Sequence, residues 1–144
     1  MRARPAGCPF SYSDVFACRV IDDNVADNAA SSPLTNLYVS LHTADPGEAG
    51  DQTTSEISYT GYARVAVARS GSGWTVTANS VSPAAEIAFT ISSGGSGGTV
   101  THFAVGTASS GTGKLLFSGA VSPNFVVASG VTPKLSTASA ITLD

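Results

Sequence analysis

The chain has 144 residues, of which 42% are hydrophobic but only 12% are charged, and its formal net charge is −3. This length can bury a real core and predicts one domain, whereas the charged content is about half that of an average soluble protein. The acidic balance argues against the basic patch that nucleic-acid binding requires, and no apolar run approaches the ~18 residues of a membrane span. We therefore expect neither a nucleic acid nor a membrane as partner.

Residues 1–12 predict an extended N-terminal arm, because Pro5 and Pro9 cannot continue a helix. No apolar segment follows the arginines of this arm, so a secretory signal is not expected. The arm carries side chains that can contact another subunit, namely Arg2, Arg4 and Phe10.

An amphipathic helix is predicted from 14 to 26. Ser13 can cap it, and its apolar residues recur at helical spacing, namely Val15, Cys18, Ile21 and Val25. Cys18 then faces the core. With Cys8 it forms either a disulfide or two free thiols, and the sequence leaves both open.

Beyond the helix the pattern is that of β-strands. Eight short strands are predicted, at 37–42, 62–68, 74–77, 86–91, 99–106, 114–121, 124–128 and 139–144, separated by Gly- and Ser-rich turns. The fold class is therefore mainly β, an antiparallel β-sandwich or jelly-roll-like barrel with one N-terminal helix. We predict a single β domain over 13–144, which includes a long loop at 43–61.

The segment "NLYVSLHTADPGEAGDQ", residues 36–52, places an imidazole near three carboxylates. Alternation puts His42 at the end of a strand, and Asp45 before Pro46-Gly47 predicts a turn. Such a loop can hold calcium through oxygen ligands, but the spacing of an EF-hand is absent. We expect no metal, cofactor or catalytic residue here, and His42 and Asp45 are instead expected to be solvated or to lie at a subunit contact.

Two other patterns do not support catalysis. The tract "ASSGTGKLL" at 108–116 resembles a phosphate-binding loop, but it has Ala108 and Leu115 where that motif needs Gly and Ser or Thr, and it leads into a strand. His102 lies in the middle of a predicted strand, which favours a half-exposed strand residue over a general base. We therefore expect that the protein is not an enzyme.

The order of features resembles a family of small bacteriophage virion proteins. Its elements are "SDVF" at the helix start, "LYVSLHTADPG", then "GYARVAV" about twenty residues later, and the closing "AITLD". Members of this family carry a "tail fibre-like" description and are similar in size to capsid decoration proteins. The resemblance implies a β-rich structural protein of the virion without catalytic residues, and the arm at 1–12 departs from it.

From this resemblance, the leading hypothesis is a cement or decoration protein on the capsid exterior, which stabilises the particle by burying interface between subunits. The alternative is a tail or head fibre module that contacts a host receptor, which exposed aromatic side chains on loops would favour. The expected partners are the major capsid protein or other virion subunits, with a homo-oligomer expected. The expected location is the particle surface, after assembly in the host cytoplasm.

Overall fold

A computed structural model describes residues 34–47 and 49–142. The predicted arm at 1–12, the helix at 14–26 and the pair Cys8 and Cys18 lie outside the described residues. Within them the chain forms nine β-strands and no helix. The strands are β1 (Asn36–His42), β2 (Val65–Ala68), β3 (Trp74–Thr77), β4 (Ser80–Pro83), β5 (Ile87–Ala88), β6 (Gly98–Gly106), β7 (Leu115–Val127), β8 (Lys134–Leu135) and β9 (Ile141–Thr142).

The strands form three antiparallel sheets. The largest has the order β2-β1-β6-β7, and the two smaller ones have the orders β3-β4-β9 and β5-β8. The prediction of a mainly β, antiparallel fold is therefore confirmed. None of these three sheets closes on itself, so the alternative of a barrel is wrong for the part of the chain that the structure describes. Instead, the strands form three open sheets that share one hydrophobic core.

Alternation along β1 builds the centre of this core. Leu37, Val39 and Leu41 are each at most 1% exposed, and β1 sets Val39 opposite Val105 and Leu41 opposite Phe103 of β6. These side chains belong to one hydrophobic cluster with residues from the smaller sheets, namely Trp74, Val81, Ile87 and Leu135. The period-2 pattern puts these three side chains on one face, but Ser40 and His42 on the other face are also 0% exposed.

Several strand boundaries differ from the prediction. The predicted strand at 62–68 begins only at Val65, and the one at 86–91 contracts to β5. Of the β3–β4 hairpin only the first strand was predicted, because Ser80–Pro83 has little apolar alternation. It turns through two residues, of which Ala78 has a φ of 53°.

The two strands predicted at 114–121 and 124–128 are one strand, β7. Its ladder with β6 passes from Val100↔Phe125 to His102↔Ala120, so residues 121–124 all lie opposite Thr101. The peptide bond between Ser122 and Pro123, at the predicted break between the two strands, is cis and lies within this four-residue interruption. The interruption is therefore real, but it is a bulge within one strand rather than a hairpin between two strands.

Candidate functional site

The long loop at 43–61 folds back along the four-stranded sheet. It begins beside β1, where the amide of Thr43 donates to the carbonyl of Ser55 at 2.9 Å and the amide of Ile57 donates to the carbonyl of Leu41 at 2.9 Å. It ends with Ile57 and Tyr59 in the hydrophobic cluster. The loop is therefore an ordered cover on the sheet, anchored by backbone hydrogen bonds at its base and by apolar side chains at its end.

Asp45 forms the turn that its sequence context predicts. Its Oδ1 accepts a hydrogen bond from the amide of Gly47 at 2.9 Å, and Gly47 has a φ of 69°, a conformation that glycine adopts without strain. The Asp45 side chain is exposed. This turn chemistry is confirmed, whereas a contact of Asp45 with another subunit stays a prediction.

His42 does not lie where the sequence placed it. It is 0% exposed, its Nδ1 lies 2.8 Å from the carbonyl oxygen of Thr54, and its Nε2 lies 2.9 Å from Oγ of Ser40. A carbonyl only accepts, so Nδ1 carries the proton and Nε2 accepts from the Ser40 hydroxyl. Burial lowers the pKa of His42 below its ordinary value of 6.5. The expectation of a solvated histidine is wrong, because the loop covers the ring. The alternative, a contact with another subunit, stays a prediction.

Ser40 and His42 have the spacing of a nucleophile and its base, but the pair is closed to substrate. Both residues are 0% exposed, and the ring nitrogen that a carboxylate orients in hydrolytic triads is bound here by a backbone carbonyl. The pair therefore supports the loop over β1, and a substrate has no route to the hydroxyl.

The centre of the site is Arg64, which sequence reasoning did not single out. Its side chain is 3% exposed. Nε and Nη2 donate to the two carboxylate oxygens of Glu56 at 2.7 and 2.8 Å. The remaining hydrogen bonds go to three backbone carbonyls, those of Gln52 at 3.1 Å, Ala108 at 3.0 Å and Gly111 at 2.8 Å. The hydrogen bonds to Glu56 raise the pKa of Arg64, so the guanidinium stays charged.

Tyr62 connects this ion pair to the core. Its hydroxyl donates to Oε1 of Glu56 at 2.8 Å and accepts from the amide of Leu41 at 3.2 Å. Its ring stacks on Phe89 at 6.3 Å and meets Tyr59 edge to face at 5.2 Å. Burial raises the pKa of Tyr62, so this hydroxyl keeps its proton and acts as a donor.

Gln52 ties the same loop to a second one at 107–114. It is 0% exposed, its Oε1 accepts from the amide of Ala108 at 2.9 Å, and its Nε2 donates to the carbonyl of Tyr38 at 3.4 Å. A Cβ at Gly106 would lie 2.1 Å from Cδ of Gln52, and one at Gly113 would lie 2.0 Å from its Oε1. Both glycines are therefore required for this side chain to enter.

Together these contacts fix two loops into one surface. We define the two-loop surface as the exposed residues of 43–54 and 107–114, and its side chains include those of Asp45, Thr53, Ser109, Ser110 and Thr112. At one edge of this surface, a hydrogen bond from the Thr53 hydroxyl, with another from the Thr53 amide, lowers the pKa of Asp51. The surface is polar and nearly free of large apolar groups.

The buried side chains of the site hold the two loops in place. Among the described residues, no group of three or more histidine, cysteine or acidic side chains is placed to hold a metal ion, and no helix there is long and apolar enough to cross a membrane. Trp74 and Tyr59 are each 6% exposed, so neither ring is available to stack on a sugar. Arg64 and Glu56 at the centre bind each other and nearby groups of the chain. The outer surface carries mainly hydroxyls, with the side chains of Asp45 and Lys114.

The fold is an antiparallel β scaffold that holds two loops in place, and binding residues commonly lie on such loops. The sequence model of one family, described as podophage GP4 fiber I protein gp80, matches residues 11–143. The chain belongs to this family of phage fibre proteins and is a structural protein associated with the virion. No curated protein sequence matches it. The expected class of bacteriophage virion protein is thereby confirmed, and the fibre designation favours the alternative hypothesis over the capsid cement protein.

Sequence reasoning missed the three residues that organise the site, Gln52, Glu56 and Arg64. A signal was present, because charged residues are scarce and Arg64 interrupts the alternating segment "YARVAV". An arginine at such a position needs a carboxylate partner if it is buried. The sequence offers several candidates, however, and only the fold selects Glu56.

Proposed function

We propose that this protein is a component of a phage fibre that presents the two-loop surface to the host cell. The observation that carries the proposal is the Arg64-centred network, which joins the loop at 43–61 to the loop at 107–114 through five hydrogen bonds from one side chain. Membership of a phage fibre family supports it independently.

A buried ion pair such as that of Arg64 and Glu56 fixes geometry more than it adds stability. Withdrawing a guanidinium and a carboxylate from water costs several kcal/mol per ion, so such a pair contributes little net stability. It does impose one geometry, because the planar fork of Arg64 accepts only a narrow range of partner positions. Binding residues commonly lie on loops that a rigid scaffold positions. Rigidly fixed loops suit recognition, since little conformational freedom is then lost when a ligand binds.

The chemistry of the surface suggests its ligand. Hydroxyls of Thr53, Ser109, Ser110 and Thr112, with the carboxylate of Asp45, offer hydrogen bonds without an aromatic platform. A polar receptor read by hydrogen bonds fits these groups better than one that needs stacking on an exposed ring. The adhesion hypothesis is thereby restricted to receptors that hydrogen bonds can recognise.

The capsid cement hypothesis predicts a different copy number in the particle. A cement protein occupies the capsid surface in hundreds of copies, whereas a fibre contributes a small number at the tail or at vertices. Counting copies against the major capsid protein, with antibody labelling in electron micrographs, therefore separates the two. We expect few copies, located on fibres.

Adsorption competition tests the surface itself. Purified protein added to host cells should slow phage adsorption, and Ser110→Arg should abolish this effect because it places a bulky charge on the two-loop surface. The matched control is Thr77→Arg, which makes the same change at an exposed position of β3 on a different sheet. Inhibition that Ser110→Arg leaves intact, or labelling spread over the capsid, would overturn the proposal.

A further inference from the structure

His42 lies where the loop at 43–61 leaves β1, and the return of the same loop covers it. The ring is 0% exposed. Its Nδ1 donates to the carbonyl of Thr54 at 2.8 Å, and its backbone pairs with that of Glu56. Beside the ring, the amide of Thr43 donates to the carbonyl of Ser55 at 2.9 Å. The segment 51–55 of the loop therefore holds the ring and helps to exclude water from it.

The hydrogen bonds of the ring fit its neutral form. Nε2 of His42 accepts from the hydroxyl of Ser40 at 2.9 Å. A proton on Nε2 would turn this acceptor into a donor, so the Ser40 hydroxyl would have to give its own hydrogen to another group. The carbonyl of Ala104 can receive it only at 3.5 Å, near the limit of a hydrogen bond. The charged ring is therefore less well bonded inside the closed chain than the neutral ring.

The charges around the ring also disfavour a second cation. Among the described residues, three ionisable groups act on His42: Glu56 from the loop, Arg64 from the segment before β2, and His102 opposite it on β6. Arg64 already binds both oxygens of the Glu56 carboxylate, and the hydroxyl of Tyr62 donates to one of them. A charged His42 would have to share this one carboxylate.

Uptake of a proton is therefore linked to exposure of the ring. Burial is the largest effect and lowers the pKa of His42; Arg64 and His102 lower it further, while the Thr54 carbonyl and Glu56 raise it. Below the ordinary value of 6.5, a form with a hydrated ring binds a proton that the closed form does not, so a falling pH favours opening. Loops open at a lower free energy than the strands beneath them.

We infer that the segment 51–55 is an acid-sensitive cover, which opens when the His42 imidazole takes up a proton while the four-stranded sheet stays folded. Opening withdraws Gln52, whose amide donates to the carbonyl of Gly113 at 3.1 Å and whose Oε1 accepts from the amide of Ala108 at 2.9 Å. These contacts join the two loops, so mild acid loosens the two-loop surface. The effect on host binding rests on the proposed function, whereas the opening itself does not.

Hydrogen exchange of single amides in the full-length protein tests the opening. Rates are converted to protection factors, which removes the effect of pH on exchange itself. When the pH is lowered from about 6.5 to about 5, the amides of Thr43 and Gln52 should lose about three- to tenfold in protection. Amides of β6, a central strand of the sheet, should stay at least about tenfold more protected at both pH values, because they exchange only when the sheet unfolds.

Two variants identify the group that titrates. In His42→Gln, the protection of the Thr43 and Gln52 amides should no longer depend on pH. The matched control is His102→Gln, the same change at a half-exposed position of the neighbouring strand, which should keep the pH dependence of the wild type.

Three outcomes would overturn the inference. They are protection in the wild-type loop that does not change with pH, equal protection of the loop and β6, and a pH dependence that persists in His42→Gln. The first two are measured on the wild type, so they decide the question even where His42→Gln does not fold. The experiment involves no host cell, and its failure is therefore distinct from a failure of the proposed function.

Discussion

Arg64 holds Glu56 through two parallel hydrogen bonds, Nε to Oε1 at 2.7 Å and Nη2 to Oε2 at 2.8 Å. The same guanidinium binds carbonyls from the loops at 43–61 and 107–114. In a chain with few charges, one arginine thus connects segments that lie far apart in the sequence. We interpret the ion pair as a contact that fixes the positions of these loops. Its contribution to the free energy of unfolding can be measured with substitutions.

Arg64→Met should destabilise the protein strongly. It leaves the Glu56 carboxylate, whose side chain is 16% exposed, without its cation, and breaking a buried pair from one side costs about 3–5 kcal/mol. Urea denaturation at neutral pH measures the loss. Adding Glu56→Leu to Arg64→Met should restore much of the stability, since an apolar replacement of both partners removes the unpaired charge.

The control for this prediction is the exposed ion pair of Lys134 and Glu86. Its atoms are 2.9 Å apart, but the two side chains are 53% and 51% exposed. Lys134→Met should therefore change stability by only about 0–1 kcal/mol. Losses of similar size for Arg64→Met and Lys134→Met would contradict a structural role for the buried pair.

Gly106→Ala should disrupt the packing of the Gln52 side chain. The added Cβ would meet Cδ of Gln52 at 2.1 Å and Cγ at 2.5 Å, and forcing atoms into a packed site costs about 1–3 kcal/mol. A double-mutant cycle with Gln52→Ala tests the cause, because the penalty should largely disappear when that side chain is absent. Gly71→Ala is the control: nothing lies within 4 Å of its added Cβ, and its backbone is not left-handed. Additive effects of Gly106→Ala and Gln52→Ala would refute the proposed clash.

Stability should fall as the pH drops below about 6.5. Burial holds the pKa of His42 below 6.5 in the folded chain, so in that range the unfolded state binds a proton that the folded state does not. A single such group lowers the free energy of unfolding by up to about 1.4 kcal/mol per pH unit, until the pH passes the folded-state pKa. Above 6.5 both states are neutral at this residue and the effect vanishes.

His42→Gln isolates the contribution of His42 to this pH dependence. The glutamine does not titrate, so the variant should show a shallower decline between pH 7 and pH 5 in parallel denaturation curves. Identical pH profiles for the two proteins would show that His42 is not the group responsible.

Ala78→Gly should stabilise the β3–β4 hairpin. Ala78 has a φ of 53°, and the left-handed region costs a residue with a Cβ about 1–2 kcal/mol. Glycine removes that penalty but adds freedom to the unfolded chain, so the expected net gain is about 0.5–1 kcal/mol. The control is Ala84→Gly, at an exposed position without a positive φ, where the same change should be neutral or destabilising. Equal thermal shifts in both variants would contradict the strain at Ala78.

The β class of the fold and the positions of several strands were predictable. Alternation in "LYVSLH" puts Leu37, Val39 and Leu41 on one face, which is buried, and the turn at Asp45 follows from Asp-Pro-Gly chemistry. Trp74 was expected to start a strand and enter the core, and it does both. Short strands without a clear apolar pattern, such as Ser80–Pro83, were missed, since only their partners in the sheet make them strands.

The sequence by itself determined the class of fold, because period-2 alternation and turn residues are local properties that act before any long-range contact forms. It also determined the family, through motifs that span most of the chain. The tertiary structure decided which charges meet. Arg64 is eight residues from Glu56 but 47 residues from Gly111, and only the return of the loop over β1 brings these groups together. The same fold buries His42, which the sequence placed at a surface, since burial depends on what covers a strand rather than on the strand alone.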